Sequence, residues 1–331
     1  MSDVLSFAKN KLYTINDDSD EESYSSGSNL GNIHWGQLKL FSNELLFLVE
    51  NCRSDDVKDL VYVGAAPGEH LVVLTQMFPG ITFHLYDSNN FDLRLRNLAR
   101  SDKNMNSNVI IYHKYFEPED VTKWSNDKAK CIFISDIRTL TYNSKKTSFN
   151  DRKNNEDIVW KDMKLQQYWV ETIKPLHSLL KFRLPYAEKF ELEKGKYREY
   201  LAGTVYRQPF SKSGSSETRL YVSHPPLTKQ WDISSYEQKL FYHNKNIRKQ
   251  KFFHPLDDSR QHILEEYNLL NDFDSVFLAN IVLDYMVMHD EVKMLINGSW
   301  VKQSLAINVE NMDKILKFIL ENITSGRRRS R

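Results

Sequence analysis

The sequence predicts a doubly wound α/β fold, and three observations carry that prediction. The strand-forming run Leu60-Val61-Tyr62-Val63 enters the turn Gly64-Ala65-Ala66-Pro67-Gly68-Glu69-His70, after which Leu71, Leu74, Met77 and Phe78 follow a helical pattern. A second apolar run, Ile81–Tyr86, closes on Asp87 about nineteen residues beyond Gly68, where an acidic side chain can accept both ribose hydroxyls of an adenosine. Strand and helix patterns then alternate up to about residue 187. Gly64 and Gly68 let the backbone approach a ligand closely where the next helix begins. Each signal alone has a plainer source, since strand-to-helix turns favour Gly and Pro and an aspartate often caps a helix. Together they favour nucleoside binding.

Residues 1–30 are rich in Ser, Asp, Glu and Asn and include the acidic run 17–22, so they read as a mobile or loosely docked arm. Tyr13 and Tyr24 are its candidates for a functional role. From Gln37 to Cys52, the positions Leu38, Phe41, Leu45, Leu48 and Val49 make an amphipathic helix; Lys39 on it is, taken alone, an ordinary solvated lysine. Beyond Asp87 come a helix over Phe91–Leu98, a strand over Val109–His113 and a short helix over Glu117–Trp124. Cys131–Ser135 is continuously apolar and ends at Asp136, as a buried parallel strand should.

The stretch from Arg138 to Glu156 is polar and carries Lys145, Lys146, Arg152 and Lys153. Following a strand's carboxyl end, it reads either as an active-site loop contacting phosphate or as a solvated loop. A helix over Ile158–Ile173 is stopped by Pro175, and Leu179–Tyr186 is strand-like with Lys181 between apolar neighbours. Two closely spaced strands, Thr204–Arg207 and Arg219–Ser223, predict an antiparallel finish to the sheet, with Glu217 just before the second. Past Pro225-Pro226 the pattern is helical over 234–250, 260–271, 273–289 and 308–322. The organisation expected is an arm over 1–30, one domain over 31–325 that is helical from about 227, and a basic tail over 326–331.

Composition sets limits. The 331 residues include 40% apolar and 27% charged side chains, enough for a large core, and 45 Lys and Arg against 44 Asp and Glu leave a net charge of +1. Any polyanion site must therefore come from local clustering. Cys52 and Cys131 lie far apart in apolar patterns, which predicts buried free thiols in a reducing compartment rather than a disulfide framework or structural zinc. The start has no basic region followed by an apolar run, and no later segment is apolar for eighteen residues, so neither secretion nor membrane spanning is expected.

Four ionisable residues stand where a doubly wound sheet would converge them: Lys39, Asp136, Lys181 and Glu217. A buried lysine needs carboxylate partners or a lowered pKa. A second lysine nearby would lower it further, giving an amine able to take a proton from a hydroxyl near neutral pH, with the carboxylates orienting it. Each residue alone would be an ordinary salt-bridge partner. Their order on these particular elements makes the joint reading specific.

Those residues sit in Gly36-Gln37-Leu38-Lys39-Leu40, Val61–His70, Ile134-Ser135-Asp136-Ile137-Arg138, Leu180-Lys181-Phe182-Arg183 and Ser216-Glu217-Thr218-Arg219-Leu220. In these segments, and through Tyr236–Lys239 into Asn244-Lys245, the chain resembles the poxvirus cap-specific mRNA 2'-O-methyltransferase family, which also supplies the stimulatory subunit of the viral poly(A) polymerase. The likeness covers about residues 35–250 and is weak in the arm and the last eighty residues. It implies a Rossmann-like fold using S-adenosylmethionine, with Lys39, Asp136, Lys181 and Glu217 as catalytic tetrad and Lys181 activating the 2'-hydroxyl of the first transcribed nucleotide. It further implies cofactor contacts from Gln37, Tyr62, Gly64, Gly68, Asp87 and Asp136, with Phe116 flanking the adenine. Asn89 stands where the family has an arginine near the cofactor.

For the cap, the resemblance implies a cationic 7-methylguanine held between two aromatic rings with carboxylates on its polar edge. Tyr186 matches one ring, and Glu188 and Glu237 match the carboxylates. Gly214 falls where the other ring should be, so Tyr206, Phe210 or an arm residue such as Tyr24 must substitute, or cap affinity falls. Also implied are capped mRNA as substrate, a heterodimer with the poly(A) polymerase catalytic subunit, and location in host cytoplasm and virion. Two other readings compete. One is a noncatalytic RNA-binding processivity subunit on the same fold, against which the intact tetrad argues. The other is a dinucleotide oxidoreductase, disfavoured because the turn lacks the third glycine of that fingerprint and leaves Lys181 without a role.

Overall fold

The computed structural model describes residues 12–23, 35–52, 57–100, 106–126, 131–139, 149–186, 197–212, 214–250 and 272–324. Its strands are β1 (Thr14–Ile15), β2 (Asp59–Val63), β3 (Thr82–Tyr86), β4 (Val109–Tyr112), β5 (Cys131–Ser135), β6 (His177–Phe182), β7 (Tyr197–Leu201), β8 (Thr204–Tyr206), β9 (Thr218–Ser223), β10 (Thr228–Asp232), β11 (Glu291–Ile296) and β12 (Ser299–Ser304). Its helices are α1 (Gly36–Asn51), α2 (Leu71–Met77), α3 (Leu93–Leu98), α4 (Pro118–Asn126), α5 (Phe149–Ile173), α6 (Ile233–Tyr242), α7 (Phe273–Met288) and α8 (Val309–Thr324), with a π-helical turn over His243–Ile247 continuing α6.

The main sheet has the order β1-β8-β9-β6-β5-β2-β3-β4. Strands β6, β5, β2, β3 and β4 run parallel, while β9 is antiparallel to β6 and β8, and β8 to β1. This is the mostly parallel, doubly wound sheet with an antiparallel finish that the sequence predicts. Alternation along the strands feeds two cores. Leu60, Tyr62, Ile132 and Ile134 join a cluster with α1, α2, α7 and α8, whereas Val61, Val63, Phe133 and Leu180 join a second one with Val121, Trp124, Met163 and Trp169 of α4 and α5. From β2 the chain winds one way through β3 and β4, then returns beside β2 as β5 and continues to β6. The switch point thus falls between the carboxyl ends of β2 and β5, where open α/β sheets bind ligands.

Local chemistry explains the element ends. Asp232 caps α6 by accepting the Ser235 N–H at 3.0 Å, and Asp272 caps α7 by accepting the Ser275 N–H at 2.9 Å. Phe273, Phe277, Leu278, Ile281 and Val282 of α7 are fully buried, each worth about 1.5–3 kcal/mol relative to exposure. Polar residues of α1 are buried with partners: Ser42 donates to the Leu38 carbonyl at 2.8 Å and Asn43 to the Arg207 carbonyl at 2.8 Å.

Several expectations need correction. Part of the arm is built into the fold. Tyr13 is buried in the first core, Thr14–Ile15 pair with Val205 and Tyr206, and Glu21 and Glu22 meet Lys239 and Lys245. The C-terminal part is not purely helical, because β10 pairs with β7 and a hairpin β11–β12 lies between α7 and α8. Helix α5 begins at 149 rather than 158, which shortens the expected active-site loop. Lys145, Lys146, the helix expected over 260–271 and the basic tail lie outside the described residues, as does the side chain of Arg152. Cys52 and Cys131 are free thiols, and burial pushes the Cys52 thiol up to about 12.

Candidate active site

At the switch point the chain needs a residue without a side chain. Gly64 adopts φ +82°, and a Cβ there would lie 3.0 Å from the backbone of Asp136 and Ile137. That close approach lets the Asp136 N–H donate to the Val63 carbonyl at 2.9 Å, which fixes the ends of β2 and β5 together. Gly68 has φ +69° and closes the turn before α2. Asp87 braces the same turn: its Oδ2 accepts the Ala66 N–H at 3.0 Å, and its Oδ1 accepts the Asn89 N–H at 2.8 Å and the Asn89 amide at 2.9 Å. Asn89 therefore orients Asp87.

The four ionisable residues converge. Asp136 follows β5, Lys181 lies near the end of β6, Glu217 precedes β9, and Lys39 lies in the first turn of α1. Lys181 Nζ is 3.3 Å from Asp136 Oδ1 and 3.8 Å from Glu217 Oε1, and Lys39 Nζ donates to Glu217 Oε1 at 3.2 Å. Two arginines complete the cluster. Arg219, fully buried, reaches Asp136 Oδ1 at 2.5 Å, and Arg138 donates to Glu217 Oε2 at 3.1 Å. Both stand inside the quoted motifs, but a charged residue beside a strand end gives no sign from sequence that it faces inward.

Burial lowers the Lys181 pKa. Asp136 and Glu217 oppose that shift, and Arg219 and Arg138 reinforce it. Burial alone would raise both carboxylates, but Asp136 is held below its usual range by Arg219, Lys181 and Lys39, and Glu217 by Lys181, Lys39 and Arg138. The pocket thus favours ionised carboxylates beside an amine that gives up its proton readily. That pairing suits proton removal from a hydroxyl.

The remaining predicted residues divide. Phe116 is buried, edge-on to Tyr86 at 4.9 Å and to Trp169 at 5.3 Å. Gln37 faces the start of α2, its Oε1 2.8 Å from His70 Nδ1. Tyr62 is fully buried and its hydroxyl donates to Glu44 Oε1 at 2.7 Å, so its side chain is engaged within the protein. Glu44 Oε2 lies 2.9 Å from His70 Nε2, so a network runs beneath the turn from the half-buried Gln37 through the buried His70, Glu44 and Tyr62. Periodicity placed Glu44 on a helix but gave no reason to bury it.

Around the expected cap site, Tyr186 is half-buried, with its hydroxyl 2.7 Å from Ser216 Oγ and the Arg183 guanidinium 4.8 Å from its ring centre. Glu237 lies on α6, while Glu188 and Tyr24 fall outside the described residues. Tyr206 and Phe210 cannot supply the second ring. Tyr206 is buried with its hydroxyl on Glu50, and Phe210 is buried in a parallel stack with Trp35 at 6.2 Å. Gly214 is exposed, with nothing within 4 Å of a Cβ placed there. No described helix is long and apolar enough to cross a membrane, and no group of three or more His, Cys, Asp or Glu among the described residues could hold a metal ion.

A family model described as poly(A) polymerase regulatory subunit matches residues 6–296. The cap-specific mRNA (nucleoside-2'-O-)-methyltransferase of fowlpox virus (strain NVSL) is 31% identical over 231 residues, covering 64% of this chain and 68% of the relative. The enzyme of that name from myxoma virus (strain Lausanne) is 31% identical over 229 residues, covering 65% of this chain and 62% of the relative. The chain thus spans about two thirds of the length of these relatives. Among solved structures, bluetongue virus VP4, described as a multifunctional RNA-capping production line, is 14% identical with a TM-score of 0.36, covering 86% of this chain and 46% of that one.

Proposed function

The chain belongs to the poly(A) polymerase regulatory subunit family, and from that premise we propose that it is a cap-specific mRNA 2'-O-methyltransferase using S-adenosylmethionine. One observation carries the reading: Lys181 is buried between Asp136 and Glu217, with Arg219 and Arg138 favouring its neutral form. The named relatives support the substrate class.

The residues at the switch point fit the methyl donor. Gly64 and Gly68 leave bare backbone at the crevice, Asp87 has a fixed carboxylate for a ribose diol, and Phe116 gives an aromatic edge. When bound there, the donor supplies an electrophilic methyl group on a sulfonium. Lys181 Nζ would take the proton of the ribose 2'-hydroxyl, leaving that oxygen's electron pair available to the methyl group the donor would supply. Asp136 and Glu217 aim that amine, and Lys39 and Arg138 hold Glu217 in place. Tyr186, Glu188, Glu237 and Tyr24 are assigned to the 7-methylguanine.

Residues 31–325 act as one unit in this reading, supported by a buried cluster that ends at Ile323 and also takes in Tyr13 of the arm. The C-terminal third is assigned the docking of a poly(A) polymerase catalytic subunit as a heterodimer, in host cytoplasm and virion. Co-purification with that subunit tests the assignment. A purely noncatalytic subunit is disfavoured by the assembled tetrad. The decisive assay incubates the protein with labelled S-adenosylmethionine and matched RNAs bearing 7-methylguanosine caps, unmethylated caps or no cap. Label on the first 2'-oxygen of 7-methylguanosine-capped RNA supports the proposal, whereas equal labelling of uncapped RNA, or none at all, overturns it.

A further inference from the structure

The hairpin β11–β12 was built by a strong local signal, since Asn297 and Gly298 take φ +50° and +81°, as a tight two-residue hairpin turn needs. Val292 and Met294 pack into the first core, and the Leu295 N–H donates to Gln76 Oε1 at 2.6 Å, so the hairpin is tied firmly to α2. Its other face turns outward. There Lys293 stands directly opposite Lys302, and Leu295 opposite Trp300. Two like charges in register destabilise a hairpin. Lys302 meets Glu291 at 2.9 Å, but among the described residues Lys293 has no ion-pair partner. Trp300 is 58% exposed.

Beneath this face lies a cavity of about 790 Å³, within the size range of ligand sites. Lys293, Trp300, Lys302 and its partner Glu291 line it, and Asn106, Ser107 and His289 contribute polar groups. His289 Nε2 is buried without a hydrogen-bond partner among the described residues. Burial lowers the pKa of that imidazole, against an opposing pull from Asp290, which favours its neutral form. The cavity adjoins the C-terminal end of α2 and the residues before β4, which places it at the amino ends of the parallel strands, away from the tetrad.

We propose that this hairpin face and its cavity bind single-stranded RNA, with Trp300 stacking on a base and Lys293 and Lys302 contacting phosphates. The inference rests on RNA being the substrate and adds a second contact to it. Aromatic platforms beside paired cations are how strands are held without sequence preference. A protein-docking patch would show the opposite composition, an apolar centre depleted of lysine. The two sites lie at opposite ends of the parallel strands, at least roughly 17 Å apart for the five residues of β2, so only a leader long enough to leave the crevice engages both.

The test is fluorescence anisotropy of labelled oligoadenylate on the full chain, with Trp300→Ala, Trp300→Tyr and the double variant Lys293→Ala/Lys302→Ala. Trp300→Ala should weaken binding about tenfold and Trp300→Tyr should largely restore it. The double variant should also reduce the slope of log affinity against log salt by roughly one unit or more. Methyl transfer to a capped leader too short to leave the crevice should stay unchanged in all three. Wild-type affinity and slope in the alanine variants would overturn the proposal, as would loss of the polymerase subunit with RNA binding intact. If the wild-type protein methylates nothing, the catalytic reading fails while anisotropy still decides the hairpin.

Discussion

Arg219 stands directly opposite Lys181 in the antiparallel ladder between β6 and β9. Such a pair would repel, but Asp136 Oδ1 lies 2.5 Å from Arg219 and 3.3 Å from Lys181 and so screens one from the other. Because Arg219 already engages that carboxylate closely, Lys181 receives less of its charge. Lys39, Arg138, Lys181 and Arg219 face Asp136 and Glu217, so four cations meet two anions when all are ionised. Releasing one proton from Lys181 relieves the excess.

Lys181→Met should abolish methyl transfer without weakening the fold. Loss of a positioned base typically costs about 10²–10⁴ in rate. A lysine whose folded pKa is depressed destabilises the native state below that pKa, and the penalty fades as pH rises through it toward the unfolded value. Removing the amine removes the penalty. Calorimetric titration should show S-adenosylmethionine still binding, and thermal unfolding at neutral pH should occur no lower than in the wild type. A large fall in melting temperature would make Lys181 a structural residue.

Arg138→Gln should move the rate profile to higher pH. Arg138 lowers the Lys181 pKa and pairs with Glu217 at 3.1 Å. Without it, Lys181 holds its proton to higher pH, and Glu217 is freer to stabilise the ammonium form. The ascending limb of kcat/KM should shift in the alkaline direction, with the high-pH plateau less affected than the rate at neutral pH. An unshifted limb with a uniformly lower rate would assign Arg138 to substrate binding instead.

The parallel sheet and the tetrad were legible because they depend on short-range patterns: apolar runs, an aspartate just after β3 and β5, and one lysine inside a strand. What escaped depends on tertiary partners. Strands β7 and β10 carry Glu199 and Lys229 at exposed or half-exposed positions and pair mainly with each other, so they lack the apolar signature of buried strands. Asn297-Gly298 was a visible hairpin signal, overridden by a helical reading on both sides. Thr14–Ile15 is too short to show a period, and its place at the sheet edge comes from β8. Arg219 and Glu44 are buried by partners from other elements, Asp136 for the one and Tyr62 and His70 for the other, which no local pattern announces.

Acid should unfold the protein partly through Asp136 and Glu217. Both are held below the ordinary carboxylate range, so their stabilisation is complete above the unfolded value of about 4 and is lost as pH falls through the depressed folded values. Glu217→Gln should accordingly be less stable than wild type at neutral pH, with the gap narrowing as pH drops below about 4. Urea unfolding at a series of pH values measures this. A gap independent of pH would mean that charge at Glu217 contributes nothing.

Gly64→Ala should cost both stability and donor binding. The left-handed conformation at φ +82° costs an L-residue about 1–2 kcal/mol, and the new methyl would sit 3.0 Å from the Asp136 and Ile137 backbone. Pushing that segment away displaces the carboxylate aligned with Lys181. Gly80→Ala is the control, because nothing lies within 4 Å of a Cβ there. Comparing melting temperature and S-adenosylmethionine affinity for the two variants separates a strained cradle from a general glycine effect.

Tyr62→Phe should weaken the fold but leave the donor's affinity nearly intact. The hydroxyl donates to Glu44 Oε1 at 2.7 Å, while Glu44 Oε2 lies 2.9 Å from His70 Nε2 and His70 Nδ1 lies 2.8 Å from Gln37 Oε1. Deleting the hydroxyl leaves one buried carboxylate oxygen short of a donor, at a cost of about 1–3 kcal/mol. The ring is fully buried, so the expected effect is on the fold rather than on the donor. Chemical denaturation should therefore report the loss, with titration calorimetry showing much less than a tenfold change, about 1.4 kcal/mol, in S-adenosylmethionine binding. A tenfold loss of affinity with stability unchanged would return Tyr62 to the set of donor contacts and make the network beneath the turn incidental.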